Sequence, residues 1–105
     1  MRLLGRLSPN REVDAFAKAL AQELAERCAP GDGERPADKR GQRRLTRALE
    51  GVYTKARDYR RVHRLGVYRK ARLGNTFKWE LKALGYSEPF VEETTKGLVV
   101  SISRG

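Results

Sequence analysis

The sequence is poor in the residue types from which enzyme sites, disulfides and membrane spans are commonly built. It contains one cysteine, Cys28, and one histidine, His63, so neither an internal disulfide nor a cysteine- or histidine-pair metal site can form. Its longest aliphatic run is residues 98–100, which is far too short for a transmembrane segment. We expect a single small domain spanning 1–105, located in the cytoplasm, with no metal and no cofactor.

Acidic residues are scarce in one part of the chain, and this local imbalance produces the net charge of +10. Residues 39–72 contain 13 Lys or Arg residues but only two acids, Glu50 and Asp58, which gives +11. All other residues together contain 10 basic and 11 acidic side chains, which gives −1. A local cluster of this kind attracts polyanions, and arginine, the commoner cation here, suits bidentate phosphate contacts.

Apolar residues recur at helical spacing in the first two thirds of the chain. Ser8 followed by Pro9 is typical of a helix start, and the stripe that follows predicts a first helix over 9–28. The Pro- and Gly-rich segment at about 29–37 predicts a loop. A second helix is predicted from 38 to 65, with an apolar seam spaced 4, 3, 4, 3 and 4. The seam consists of Leu45, Leu49, Val52, Ala56, Tyr59 and His63.

After the second helix the pattern predicts short elements separated by glycines. Residues 67–73 either continue the second helix or begin a new one, and Gly74 with Asn75 predicts a break. A short helix over 76–84 follows, with Gly85 as its C-terminal cap and Phe77 on its apolar face.

The last segment predicts one more helix and then a strand. A helix over 88–96 is expected to end at Gly97, and the alternation in 98–103 is typical of a strand. A lone strand is unstable, so it would pair with the N-terminal segment, where 3–7 is a further strand candidate, or with a second chain. The predicted fold class is therefore mainly α, a small α+β domain with three to five helices and a short C-terminal strand.

The basic part of the second helix and the residues after it form the candidate binding site. A helix with cations on one face and apolar residues on the other can lie against a polyanion, and Tyr53, Tyr59 and Tyr68 add rings that stack on bases. Packing is the preferred role for Tyr59, because it lies on the seam. The predicted contact residues are Arg40, Arg43, Arg44, Arg47, Arg57, Arg60, Arg61, Arg64, Arg69, Lys70 and Arg72.

Other candidate sites are weaker. The two helices around Gly85 have a helix-turn-helix rhythm, but the second carries Glu88, Glu92 and Glu93, which phosphates would repel. Cys28 is expected to be a buried small residue. Phe77 and Trp79 are expected to pack, whereas an exposed tryptophan would indicate a partner site.

These observations favour a non-enzymatic module that contacts nucleic acid, either RNA or nonspecific duplex, through the second helix. The alternative is a protein-interaction or oligomerisation module that uses the 45–63 seam to bind a protein partner or to form a weak homodimer.

Overall fold

The structure, a computed structural model, describes residues 8–104 as four α-helices. The first two, α1 (Pro9–Arg27) and α2 (Lys39–His63), agree within two residues with the predicted helices at 9–28 and 38–65. They are followed by α3 (Val67–Leu84) and α4 (Glu88–Arg104). The mainly α class and the expected three to five helices are confirmed, whereas the strand candidate at 3–7 lies outside the described residues.

Local sequence signals explain where the first two helices begin. The Ser8 side chain accepts a hydrogen bond from the Arg11 backbone N–H at 3.3 Å, as expected for an N-cap. Asp38 caps α2 in the same way, accepting from the Gly41 N–H at 2.8 Å. Each cap satisfies a backbone donor that the helix itself cannot pair.

The predicted C-terminal strand is wrong, because residues 98–103 form the second half of α4. Val91, Thr94, Leu98 and Ile102 are all buried, and their spacing of three and four residues places them on one helical face. The alternation of apolar and polar residues within 98–103 is too short to outweigh the three- and four-residue spacing that extends along the whole of α4. Packing of that face overrides the strand preference of the β-branched residues. Strand pairing, with the N-terminal segment or with another chain, therefore has no basis in this segment.

Gly74 and Gly97 were predicted to interrupt helices, yet both lie inside helices at points of close approach. A Cβ on Gly74 would lie 3.0 Å from Val99 Cγ2, and a Cβ on Gly97 would lie 2.6 Å from Tyr53 Cζ. The missing side chains let α4 approach α3 and α2 respectively. Gly85 does end α3, with a φ of 102°, as predicted.

The helices pack so that α2 and α3 occupy opposite corners of the bundle. α1 packs against α2 and α3, and α4 packs against the same two helices. The shared core is mainly aliphatic, and Phe77 is its largest fully buried side chain. Most of the α2 seam lies within this core or packs against its edge. The outward faces of α2 and α3 consequently point to different sides of the molecule.

The loop between α1 and α2 is attached to the turn between α3 and α4 by Glu34. Its carboxylate accepts hydrogen bonds from the Gly31 N–H at 2.7 Å, the Ser87 N–H at 3.0 Å and the Ser87 hydroxyl at 2.6 Å. Burial raises the pKa of Glu34, but these hydrogen bonds outweigh burial, so the pKa is below its ordinary value. The loop that leads into α2 is thus held by a buried, charge-assisted contact.

None of the helices described in residues 8–104 has the length and apolar character needed to cross a bilayer.

Candidate nucleic-acid interface

The first half of α2 turns its arginines away from the core. Ala48 and Val52 are buried, whereas Arg40, Arg43 and Arg47 are exposed. At about 100° of rotation per residue, these three arginines fall within an arc of about 60° on the side opposite the buried residues. The predicted division of α2 into a basic and an apolar face is therefore present in this half of the helix.

Five arginines line one open depression of about 660 Å³ at this end of the molecule. Four of them were predicted contact residues on α2, and the fifth comes from the end of α1. The lining residues are Arg27, Arg40, Arg43, Arg44 and Arg47. Within residues 8–104, none of the five forms an ion pair with a carboxylate. We call this group the arginine cluster.

Sequence reasoning missed Arg27 because it lies outside the basic segment 39–72. It occupies the last turn of α1, and its guanidinium lies near Gly51 of α2. The helices run antiparallel, with Glu23 paired to Lys55, so the end of α1 lies beside the middle of α2. This register is set by packing and has no signal in the sequence.

The arginine cluster begins at the end of α2 where positive charge is least favourable. The N-terminus of a helix carries a partial positive charge, and Arg40 lies in the first turn, where the carboxylate of the N-cap Asp38 already accepts a hydrogen bond from the Gly41 N–H. Four pairs among Arg40, Arg43, Arg44 and Arg47 are also three or four residues apart, which brings like charges together. A bound anion would relieve both kinds of repulsion.

The second half of α2 is basic as well, but its charge is partly compensated. Arg61 forms an ion pair with Asp58 at 2.7 Å, and Arg57 donates to the Thr54 hydroxyl at 3.4 Å. Arg60 is half-buried, and Arg64 is exposed in a left-handed conformation that ends the helix. Arg57, Arg61 and Arg64 are nevertheless exposed. Within residues 8–104, this half therefore differs from the arginine cluster in the ion pair between Arg61 and Asp58 and in having no shared arginine-lined depression.

Three predicted contact residues lie on α3 and not on α2. Arg72 makes a bidentate contact with Asp14 of α1, with N–O distances of 2.9 and 2.8 Å, and the hydrogen bond from Arg72 lowers the pKa of Asp14. Arg69 is half-buried with an unpartnered Nε, and Lys70 is also half-buried. Since α2 and α3 occupy opposite corners, these residues do not extend the arginine cluster.

Only one of the three tyrosines proposed for base stacking is open to solvent. Tyr59 packs on Phe16 at a ring-centroid distance of 4.0 Å, which agrees with the core role preferred for it. Tyr53 is half-buried and donates to the Thr94 carbonyl at 3.0 Å, and burial raises its pKa to about 12. Tyr68 is 64% exposed.

The single tryptophan departs from expectation. Phe77 is fully buried as predicted, but Trp79 is 56% exposed, so the expectation that both rings pack is wrong. The residues point about 200° apart on α3, and only one of them can face the core.

The single cysteine and the single histidine of the chain have ordinary surroundings. Cys28 is buried, and burial raises the pKa of its thiol, as expected for a packing residue. His63 is exposed and packs against Tyr59 with the two rings tilted by 35° and their centroids 4.2 Å apart. Within residues 8–104, no three His, Cys, Asp or Glu side chains are grouped as metal ligands.

The arginine cluster is therefore the most concentrated feature of the described surface that a ligand would recognise. Its geometry suits anions with several oxygen atoms, because each guanidinium can donate two parallel hydrogen bonds. Comparisons with family models, curated proteins and solved structures found no match to this chain.

Proposed function

We propose that this protein is a non-enzymatic module that binds nucleic acid through phosphate contacts with the arginine cluster. The observation that carries the proposal is the convergence of five arginines from two helices, without carboxylate partners among residues 8–104. Repeated phosphates at short, regular spacing are the ligand that such a surface fits best. The role suits the cytoplasmic location expected from the sequence.

Recognition by this surface depends on charge and not on base sequence. Arginines that contact phosphates fix the ligand in place but carry no direct sequence information. Gln42 and Glu50 lie beside Arg43 and Arg47 at the edge of the cluster, but the five arginines that form it are proposed to contact phosphates and not base edges. RNA and nonspecific duplexes are therefore both ligands of the proposed site.

The direct test is binding of labelled duplex DNA, duplex RNA and single-stranded RNA, measured by fluorescence anisotropy at low salt. The variant R40Q/R43Q/R47Q removes three cations from the outer face of α2 without touching the core. A matched control, R11Q/K18Q/K96Q, removes three exposed cations from α1 and α4. We expect the first variant to weaken binding of all three polymers at least tenfold, and the control to change it less than threefold.

Two results would overturn the proposal. One is the absence of binding by folded wild-type protein at 50 mM salt. The other is equal loss of affinity in the two variants, because overall charge, and not this surface, would then account for binding.

The alternative, a partner helix on the 45–63 seam, has less support. Val52 and Ala56 are fully buried, and Leu45, Leu49 and Tyr59 pack against the same core. A partner would have to displace α1 or α4 to reach them. Sedimentation of a monomer at high protein concentration would remove the homodimer form of this hypothesis.

A further inference from the structure

The side of α3 that faces solvent carries a row of aromatic and cationic residues that the arginine cluster does not include. The row follows helical spacing of 4, 3, 4 and 3, opposite the buried residues Leu73 and Phe77. It consists of Tyr68, Arg72, Asn75, Trp79 and Lys82. We call it the α3 outer face.

The two large rings of this face are both exposed. Tyr68 and Trp79 are 64% and 56% exposed, although each is large enough to contribute strongly to a core. Tyr68 also borders an open depression of about 590 Å³, whose other lining residues include Arg72 and Asn75. Exposed aromatic rings beside a depression are typical of a surface that receives a partner.

Cations border both rings; Arg72 is also ion-paired with Asp14 at 2.8 Å and Lys82 with Glu88 at 3.9 Å. Lys82 Nζ lies 4.9 Å from the centre of the Trp79 ring, and Lys78 Nζ lies 5.9 Å from it. At the other end, Arg72 donates to the Tyr68 hydroxyl at 3.1 Å. A partner with flat apolar groups and negative charges beside them complements this arrangement.

The spacing of the rings distinguishes between the partners that have such groups. Tyr68 and Trp79 are separated by about 16 Å along the helix axis, at about 1.5 Å per residue. Arg72 and Asn75 lie between them, so the face lacks the continuous apolar ridge that a protein helix would need. A duplex keeps the faces of its bases stacked inside, whereas an unpaired strand exposes them.

We propose that the α3 outer face binds an unpaired stretch of nucleic acid, with bases stacked on Trp79 and Tyr68 and phosphates beside Lys78 and Lys82. This inference rests on the proposed function, because it assigns single-stranded ligands a second contact. Since α2 and α3 occupy opposite corners of the bundle, the two surfaces are separable by mutation. The arginine cluster supplies binding that is common to all polymers, and the α3 outer face supplies a preference for unpaired strands.

The first test uses Trp79 itself, because it is the only tryptophan in the chain. Its intrinsic fluorescence is measured during titration with a 12-nucleotide oligouridylate, a duplex RNA of equal length and inorganic polyphosphate. We expect strong quenching by the oligouridylate and little change with the duplex or polyphosphate, since only unpaired bases can stack on the ring. Equal quenching by polyphosphate would contradict stacking. Emission of the free protein that varies with protein concentration would indicate coverage by a second copy, which also contradicts the inference.

The second test asks whether binding requires an aromatic ring or only an apolar side chain at positions 68 and 79. The variants W79F and Y68F retain rings, whereas W79L and Y68L retain apolar side chains without them. Binding of labelled oligouridylate is expected to fall about tenfold for each leucine variant and much less for each phenylalanine variant. Affinity for duplex RNA should be unchanged in all four.

The outcomes distinguish this inference from the proposed function. If R40Q/R43Q/R47Q loses duplex binding but W79L binds oligouridylate as well as W79F does, the stacking inference is wrong and the proposed function stands. If folded wild-type protein binds no polymer at low salt, both are wrong.

Discussion

At the scale of single residues, Gly85 and Gly97 serve different purposes, the first at a helix end and the second at a contact between helices. A sequence shows that a glycine is present but not whether it serves a turn or a close contact. Gly85 has the positive φ that a helix end requires, so its role was predictable from the following turn. Gly97 is needed because Tyr53 occupies the space where its side chain would be. That requirement comes from a residue 44 positions away.

Alanine substitutions at Gly97 and at Gly51 should have opposite effects on the free energy of unfolding. G97A should destabilise the protein by about 1–3 kcal/mol, because the new Cβ overlaps the Tyr53 ring. Gly51 lies on the outer side of α2, where an added Cβ would have only the Arg27 guanidinium within 4.0 Å. G51A should therefore stabilise the protein by up to about 1 kcal/mol. Urea unfolding of both variants measures the difference. A gain in stability for G97A would refute the close packing of α2 and α4.

Glu34 gives a prediction for the pH dependence of stability. Its pKa is lowered in the folded state, so its contribution is full above the ordinary value of 4.5 and is lost as the pH falls through the folded value. E34Q should reduce the free energy of unfolding by about 1.5–3 kcal/mol at pH 7, because three hydrogen bonds to a buried carboxylate are lost or weakened.

The E34Q deficit should shrink when urea unfolding is repeated at progressively lower pH, because the wild-type carboxyl then becomes neutral. The control E92Q alters an exposed carboxylate on α4 and should change stability little at any pH. A deficit in E34Q that is independent of pH would argue against the charged hydrogen-bond network.

At the scale of elements, periodicity was informative where it extended over many turns. The long stripes of α1 and α2 predicted both helices within two residues of their ends. The predictions for the shorter segments after Gly66 were wrong. In residues 98–103 the strand propensity of β-branched residues and a six-residue alternation favour a strand, whereas the helical period is visible only over the full length of α4. The expectation that Trp79 packs in the core was wrong for a related reason. Phe77, two residues earlier on α3, faces the core, so Trp79 points about 200° away from it and toward solvent.

The arginine cluster should weaken α2 in the free protein. Like charges three or four residues apart cost about 0.2–0.5 kcal/mol per pair, and cations near a helix N-terminus add to this. R40Q/R43Q/R47Q should therefore be about 1 kcal/mol more stable than wild type at low salt, and about equal to it at 1 M salt. Thermal unfolding at both salt concentrations measures the effect. A variant less stable than wild type would show that these side chains support the fold.

At the scale of the whole molecule, composition predicted a basic helical domain but not the distribution of its charge in space. The segment 39–72 contains nearly all of the excess charge, yet the bend between α2 and α3 divides it between opposite corners of the bundle. Arg72 is engaged by Asp14, and Arg27 joins the cluster from a different helix. Both facts depend on helix packing, which a one-dimensional charge count does not contain.

The measurement that tests the central claim most directly is the salt dependence of duplex binding between 50 and 200 mM salt. If the arginine cluster neutralises about four phosphates, the logarithm of the binding constant should fall with the logarithm of salt concentration with a slope of about −4. R40Q/R43Q/R47Q should reduce the slope to about −1, whereas R11Q/K18Q/K96Q should leave it near the wild-type value. Affinity that does not change with salt, or a slope that the two variants reduce equally, would contradict the account.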